Sequence, residues 1–272
     1  MPGFEQVQTP EGLLFLKIPV FEEAGCTAVF SSRLGGISKA PYDSLNLGYH
    51  VGDDIQDAVE NRRRLCDTLG WPLGHTVSGE QIHGDCVKVV TREDRGKGAF
   101  TYASALAGTD ALVANQHGVV LSSFYADCVP LFFFDPVKKV VALAHAGWKG
   151  TFLAIGQKTI AEMQKVFRTV PEDCLVAIGP SIGACCYEVD EKLYQTFKGR
   201  FTWVDKVFKS NGEGKWRLDL WKTNYIQLLE MGIREENIIE SRICTSCNTE
   251  LFFSHRKENG RTGRMGAFIA LR

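Results

Sequence analysis

Apolar residues fall along the chain in short runs rather than long ones. The runs cover 14–20, 27–31, 86–90, 111–114, 119–124, 131–134, 140–144, 175–178, 238–243 and 268–271. They are rich in Val, Ile and Phe and are bounded by Gly, Pro, Asp or Asn, the pattern of β-strands. Several are apolar almost throughout instead of alternating, which predicts strands covered on both faces. A second pattern has the helical period. Residues 54–69 place Ile55, Val59, Arg62, Leu65 and Leu69 near one face and stop at Gly70, with Pro72 just beyond. Residues 151–167 do the same with Ile155, Ile160, Met163 and Val166, while 190–197 and 219–231 open on aspartates that can cap free N–H groups. Segment 92–109 has no clean period and reads as a surface loop with a short helix; 209–215 reads as a turn or mobile loop. The sum is α/β, in the layered α+β sense: a single domain over 1–272, with mixed β-sheets flanked by helices.

Composition narrows the function classes. The 272 residues are 44% hydrophobic and 23% charged with a formal net charge of −1. Such a chain can bury a sizeable core, which excludes disorder and a disulfide-dependent mini-scaffold. The charge balance speaks against a broad nucleic-acid surface, which needs excess Lys and Arg. No apolar stretch approaches a membrane span of roughly 18 residues. The start, Met1-Pro2-Gly3-Phe4-Glu5, is acidic, and the apolar run at 13–16 is too short for a signal-peptide core. The expectation is therefore a cytoplasmic protein. Its nine cysteines are then thiols or metal ligands, since an odd number also fits full disulfide pairing poorly.

Three segments gather chemistry at strand ends: QIHG at 81–84, ADCVP at 126–130 and HAGWKGT at 145–151. Two imidazoles and one thiolate suit zinc or copper far better than magnesium or calcium. Three protein ligands would leave a fourth position open, as at a catalytic zinc. Yet the intervals between His83, Cys128 and His145 match no zinc-finger hairpin or helical His pair. Spacing alone fits a buried thiol and two ordinary loop histidines at least as well.

Six strings occur in order: QIHG, GTDALVAN (108–115), ADCVP, HAGWKGT, GPSIGACCYEV (179–189) and FFSHRKENGRTGR (252–264). From about Ser31 to the carboxyl end, the chain closely resembles the purine nucleoside phosphorylase family formerly described as laccase-domain or multicopper polyphenol oxidases, the YlmD/YfiH group. The resemblance implies one α/β domain with a zinc, copper being the alternative, held by His83, Cys128 and His145. It also implies phosphorolysis of adenosine, inosine and methylthioadenosine, and deamination of adenosine. The partners implied are a purine nucleoside and phosphate, with neither nucleic acid nor membrane, acting on a monomer or homodimer.

Phosphorolysis needs a phosphate beneath the anomeric carbon, stabilisation of an oxocarbenium-like centre and help for the departing base. A helix opening near Thr151 would point its N–H groups at the 147–150 turn, making Gly147 and Thr151 phosphate candidates. Arg33, entering a Gly-Gly turn, is the first arginine candidate and Arg264 the second, each weighed against a solvated charge. Asp127 would face away from Cys128 in a regular strand, but at the strand end it can turn inward as general acid or base, or serve only in capping. Gln81 suits orienting the His83 loop, and Trp148 either stacking on a base or packing. Cys244-Thr245-Ser246-Cys247 is a CxxC with no second CxxC to complete a four-cysteine site. Cys185-Cys186 reads as a pair of small buried hydrophobes.

Three rival readings stand beside the phosphorylase. Cys128 could be the nucleophile of a metal-free Cys-His hydrolase. Copper at the same ligands would suit a polyphenol oxidase, although one His₂Cys set cannot form several copper centres. A zinc-stabilised module that binds a nucleotide or cell-wall precursor without converting it is the third.

Overall fold

Most of the apolar runs become inner strands of two six-stranded sheets, and the runs at 86–90 and 238–243 become edge strands, in a computed structural model that describes residues 3–272. Met1 and Pro2, with which the amino-terminal reading begins, lie outside the described residues. From edge to edge the first sheet runs β1 (Glu5–Gln8), β2 (Leu14–Lys17), β3 (Cys26–Ser31), β15 (Met265–Leu271), β7 (Val120–Tyr125) and β4 (Thr76–Ser78). The second runs β14 (Ile238–Glu240), β10 (Leu175–Ile178), β8 (Val129–Asp135), β9 (Val140–Ala146), β6 (Ala111–Ala114) and β5 (Val87–Val89). Both are mixed: β4 lies parallel to β7, and β5 parallel to β6, at one edge of otherwise mainly antiparallel ladders.

The sheets pack face to face, and helices cover their outer faces. Alternate residues of β8 divide between two cores: Phe132 and Phe134 enter the layer between the sheets, while Leu131 and Phe133 face the helices. Strand β9 divides in the same way, with Val141 and Leu143 inward and Val140, Ala142 and Ala144 outward. That is why these runs are apolar without alternation. Burying each such Phe or Leu contributes about 1.5–3 kcal/mol.

On the outer face of the first sheet lies α2 (Ile55–Thr68), packing Leu65 and Cys66 against Val29, Val120 and Phe268. Arg62, which the helical period places on the apolar stripe, is buried between the Tyr49 and Phe124 rings at 3.7 and 3.8 Å. Its guanidinium donates to the carbonyls of Leu47 and Gly98, both at 2.7 Å. The second sheet is covered by α4 (Ile155–Phe167), α5 (Glu191–Lys198) and α6 (Leu220–Glu230), together with a small sheet of β11 (Glu188–Asp190), β13 (Lys215–Leu218) and β12 (Phe208–Ser210).

Several boundaries differ from the sequence expectation for local reasons. The run at 14–20 ends early because Pro19 opens α1 (Pro19–Glu23), where its fixed φ and missing N–H suit a first turn. The helix expected at 151–167 starts earlier, as α3 (Trp148–Phe152), and breaks at Ala154 in the left-handed region (φ 61°) before α4. The loop expected at 209–215 is a hairpin turn between β12 and β13, with Gly212 and Gly214 supplying positive φ. In 92–109 two short 3₁₀ turns, Arg92–Asp94 and Tyr102–Ser104, replace the single short helix. The strand at 238–243 stops at Glu240, after which the chain leaves the edge of the sheet for Cys244. Among the described residues, no helix is long and apolar enough to cross a membrane.

Candidate metal centre

The antiparallel register of β8 and β9 pairs Pro130 with His145 and Val129 with Ala146. His145 has the same parity in β9 as Val141 and Leu143, so its ring enters the layer between the sheets. Cys128, just before β8, has the parity of Phe132 and Phe134 and enters the same layer. His83 arrives from the loop after β4, with its backbone in the left-handed region (φ 60°). One ligand atom from each of His83, Cys128 and His145 lies within 4.8 Å of the other two. The two imidazoles meet edge to face with centroids 4.8 Å apart.

Asp110, in the string GTDALVAN, organises this convergence. One carboxylate oxygen lies 2.9 Å from Nδ1 of His145 and accepts the His83 N–H at 3.0 Å. The other accepts the N–H groups of Ile82 and Gly84 at 3.2 and 2.8 Å. Three successive N–H groups thus curl around one anion, which holds the strained His83 turn in place. The bond to Nδ1 directs Nε2 of His145 towards Cys128. Gln81 fixes the start of the same loop through a double amide bond to the backbone of Phe124, at 2.9 and 2.8 Å. Gly147 leaves the space this cluster needs: a Cβ there would lie 2.9 Å from both Cys128 Sγ and His83 Cδ2.

Burial alone would push the Cys128 thiol up, but the His145 charge and hydrogen bonds from both histidines outweigh it and bring the thiol down to about 6. For His145, burial favours the neutral ring, and the Cys128 thiolate and Asp110 outweigh it, raising the imidazole to about 9. The cluster therefore favours a thiolate, the form in which cysteine binds a metal. One sulfur and two nitrogens converging from two strand ends and one tethered loop can hold a metal ion, and the donor set suits zinc or copper. The cluster opens on a cavity of about 360 Å³ whose wall includes His50, Phe124, Asp127, Trp148, Tyr187 and Arg264.

The other expected residues divide. Asp127 and Arg264 reach the cavity. Asp127 sits in the left-handed region (φ 85°) and accepts from Thr245 Oγ1 and from the Arg256 N–H, each at 2.7 Å. The Arg264 Nη1 donates to the carbonyls of Thr262 and Gly263, while Nε and Nη2 have no protein partner among the described residues.

Arg33 and Thr151 correct the sequence expectation. The Arg33 guanidinium stacks on Phe253 and is consumed by Asp43, Thr249 and Glu258, so it ties two loops together outside the cavity wall. Thr151 is buried, its N–H donates to the Gly147 carbonyl, and its hydroxyl lies between Ala146 and Asn224. Since the helix begins at Trp148, Thr151 offers no open N–H to an anion; Gly147 shapes the His/Cys cluster from just outside that helix.

Sequence reasoning passed over Asp110, His50, His255 and Tyr187. An acid between a Gly-Thr turn and a wholly apolar strand was the available signal for Asp110. The cysteines also regroup: Cys185 is exposed and Cys186 half-buried rather than a buried pair, and both lie against Cys244 and Cys247.

A layered α/β fold with a His₂Cys centre at the seam of two sheets, open to a cavity, defines the class of protein. The family model described as multi-copper polyphenol oxidoreductase laccase matches residues 27–272, and the chain belongs to that family. It is 43% identical over its whole length to the purine nucleoside phosphorylase YlmD of Geobacillus stearothermophilus, covering 98% of that protein. It is 40% identical to the Bacillus subtilis protein of the same name, over 90% of this chain and 88% of the relative. The crystal structure of the Geobacillus YlmD superposes with a TM-score of 0.94 at 41% identity, covering all of both chains. The Bacillus licheniformis hypothetical protein YfiH gives 0.92 at 39% identity, covering 98% of this chain and 99% of that one.

Proposed function

We propose that this chain, acting as one domain, is a zinc-dependent purine nucleoside phosphorylase. It converts adenosine, inosine and methylthioadenosine with phosphate to the free base and the corresponding ribose 1-phosphate, and it also deaminates adenosine. The observation that carries this reading is a three-ligand His/Cys centre opening on a cavity that also presents Arg264 and aromatic rings. The Geobacillus relative, which aligns over the whole chain, and the Bacillus subtilis one, over 90% of it, bear the phosphorylase name. The setting proposed is the cytoplasm, with a monomer or homodimer as the working unit.

In phosphorolysis a phosphate oxygen forms a bond to C1′ while the C1′–N9 bond breaks, and its electron pair leaves with the purine, which takes up a proton. His83, Cys128 and His145 would hold the zinc, with Asp110 fixing both histidines. Zinc bound there supplies Lewis acidity to a substrate or water oxygen. Arg264, with donors to spare at the cavity, is assigned the phosphate. Asp127 has one hydrogen bond on each oxygen and keeps a lone pair on each, and is assigned the proton exchanged with the base. Trp148 and Phe124 offer faces for the purine.

Incubating the metal-loaded protein with adenosine, with and without phosphate, and separating the products tests the proposal. Adenine and ribose 1-phosphate appearing only with phosphate, beside inosine, is the expected result. No base release with any of the three nucleosides would overturn it. A thiolate beside a raised imidazole also suits a cysteine hydrolase. Stoichiometric alkylation of Cys128 in fully active, metal-free protein would favour that second reading.

A further inference from the structure

Two loops that the nucleoside reading does not use bring four sulfurs together. Cys185 and Cys186 lie in the turn after Ile182; Cys244 and Cys247 lie in the turn after β14. A short parallel bridge joins the turns: Ser181 pairs with Cys244, with the Ser181 N–H donating to the Ile243 carbonyl and the Thr245 N–H to the Ser181 carbonyl. Each turn closes on itself, through Cys186 N–H to Gly183 and Cys247 N–H to Cys244. We propose that Cys185, Cys186, Cys244 and Cys247 form a second metal centre, a closed structural zinc site of four thiolates.

Three observations carry this. All four sulfurs lie within 4.8 Å of one another, with Cys247 Sγ 3.6 Å from Cys185 Sγ and 3.3 Å from Cys186 Sγ. A tetrahedral zinc with Zn–S bonds of about 2.3 Å has sulfur–sulfur edges of about 3.8 Å, so the cage is near the size of one ion. An iron–sulfur cluster, with its own bridging sulfides, would hold the cysteine sulfurs further apart.

The second observation is the Gly183 N–H aimed at Cys244 Sγ at 3.3 Å, a backbone donor placed on a sulfur that metal binding would make anionic. Gly183 is also hemmed in: a Cβ there would lie 2.8 Å from the Trp221 ring and 3.3 Å from Cys185 Sγ, so the turn is closely fitted around the sulfurs. The third is location. Free cysteines favour the interior as small hydrophobes, yet Cys185 and Cys247 are exposed. Packing does not account for a cluster of four thiols of which two are exposed, one is half-buried and one is buried. Cys247 Sγ stands between two candidate disulfide partners and is bonded to neither. All four are free thiols in the structure.

Zinc would enter as the four thiols release their protons, leaving no open position for substrate. Its consequence is mechanical. The joined turns form part of the cavity wall: Ile182 donates its N–H to the Asp127 carbonyl at 2.9 Å, and Thr245 Oγ1 donates to the Asp127 carboxylate. Tyr187, directly after Cys186, lines the same cavity. Clamping the turns together therefore fixes the carbonyl and the carboxylate of Asp127.

Zinc content per chain separates the two centres. Whole protein is purified under reducing conditions without chelator, as wild type, Cys247→Ser, His83→Ala and the double variant, each checked for folding by circular dichroism. Two zinc ions per chain are expected in the wild type, one in each single variant and none in the double variant. In His83→Ala the zinc absorption-edge spectrum should show four sulfur neighbours at about 2.3 Å. This reading stands without the nucleoside activity, because the spectrum reports the surface centre alone; should Cys247→Ser not fold, the His83→Ala spectrum still decides. One zinc in the wild type that vanishes wholly in His83→Ala overturns the proposal. So does iron in place of zinc, a disulfide among the four cysteines, or rapid alkylation of all four in the native protein.

Discussion

Asp110 and His145 are joined twice. The His145 backbone N–H donates to the Asp110 carbonyl at 2.8 Å, and the ring Nδ1 lies 2.9 Å from the Asp110 carboxylate. The main-chain bond belongs to the pairing of β6 with β9, so the sheet that forms the core also sets the aim of a candidate metal ligand. The same carboxylate collects three N–H groups from the His83 loop. One buried acid therefore places two of the three ligands.

Asp110→Asn should accordingly weaken metal binding more than it weakens the fold. The amide keeps the shape but loses the charge that supports the imidazole and gathers the loop N–H groups. Loss of such a supporting partner typically costs about 10- to 100-fold in metal affinity. Competition against a chelator of known affinity measures it. Unchanged affinity would show that the His83 loop and His145 hold their positions without Asp110.

Gly147→Ala isolates a steric effect. The φ of Gly147 is −63°, which any residue adopts, so the substitution brings no backbone strain. Its methyl would stand 2.9 Å from Cys128 Sγ and His83 Cδ2, closer than real Cβ contacts. The neighbours are candidate ligands fixed by Asp110 and by β8, and they give way only by leaving their geometry. Metal affinity and activity should fall together, by at least tenfold, while thermal unfolding of the metal-free protein shifts little. A metal-free unfolding temperature that drops as steeply as the affinity would locate the damage in the fold instead.

The fold was largely legible because its central strands are covered on both faces and so appear as uninterrupted apolar runs. Leu131 to Phe134 and Val140 to Ala144 could be little else. The covering strands β1, β11 and β12 are short, polar and partly exposed, and leave no such trace. At the site, the ordered motifs picked out His83, Cys128 and His145, but no local pattern encodes how an acid at 110 reaches residues 82–84 through sheet pairing. Arg33 and Thr151 misled for a related reason. A strand followed by Gly-Gly, and a Gly-rich turn before a helix, both look like anion cradles, whereas other partners had already claimed the donors: Glu258 takes Arg33, and the Ala146 and Gly147 carbonyls take the hydroxyl and N–H of Thr151. The paired turns bearing the four cysteines are joined only in three dimensions.

The two arginines should separate cleanly in kinetics. Arg264→Ala removes cavity donors, and a charge-assisted contact is worth about 1.5–3 kcal/mol, so KM for phosphate should rise roughly 10- to 100-fold. Arg33→Ala instead leaves Glu258 without its ion pair at 3.0 Å and loosens the loop that also carries Arg256. It should lower the unfolding temperature with little change in KM. Steady-state phosphate titrations and thermal melts on both variants make the comparison. The reverse pattern, with Arg33 controlling KM and Arg264 only stability, would return the phosphate to the Gly35-Gly36 turn.

Thr151→Val tests whether that residue holds the scaffold or the substrate. Valine matches threonine in shape, so packing under α6 is preserved and only the hydroxyl is lost. That hydroxyl donates to the Ala146 carbonyl at 3.2 Å and accepts from Asn224 Nδ2 at 3.1 Å. Asn224 keeps its bond to the Leu220 carbonyl at 2.8 Å, which limits the damage. A buried polar partner left short typically costs about 1–3 kcal/mol. For a chain of this size each kcal/mol lowers the unfolding temperature by roughly 2–4 °C. Thr151 is buried and does not border the cavity, so KM for phosphate should stay within twofold of the wild type. A several-fold rise in KM at an unchanged unfolding temperature would mean that phosphate does reach the hydroxyl, and that the turn at 147–150 opens further than its hydrogen bonds imply.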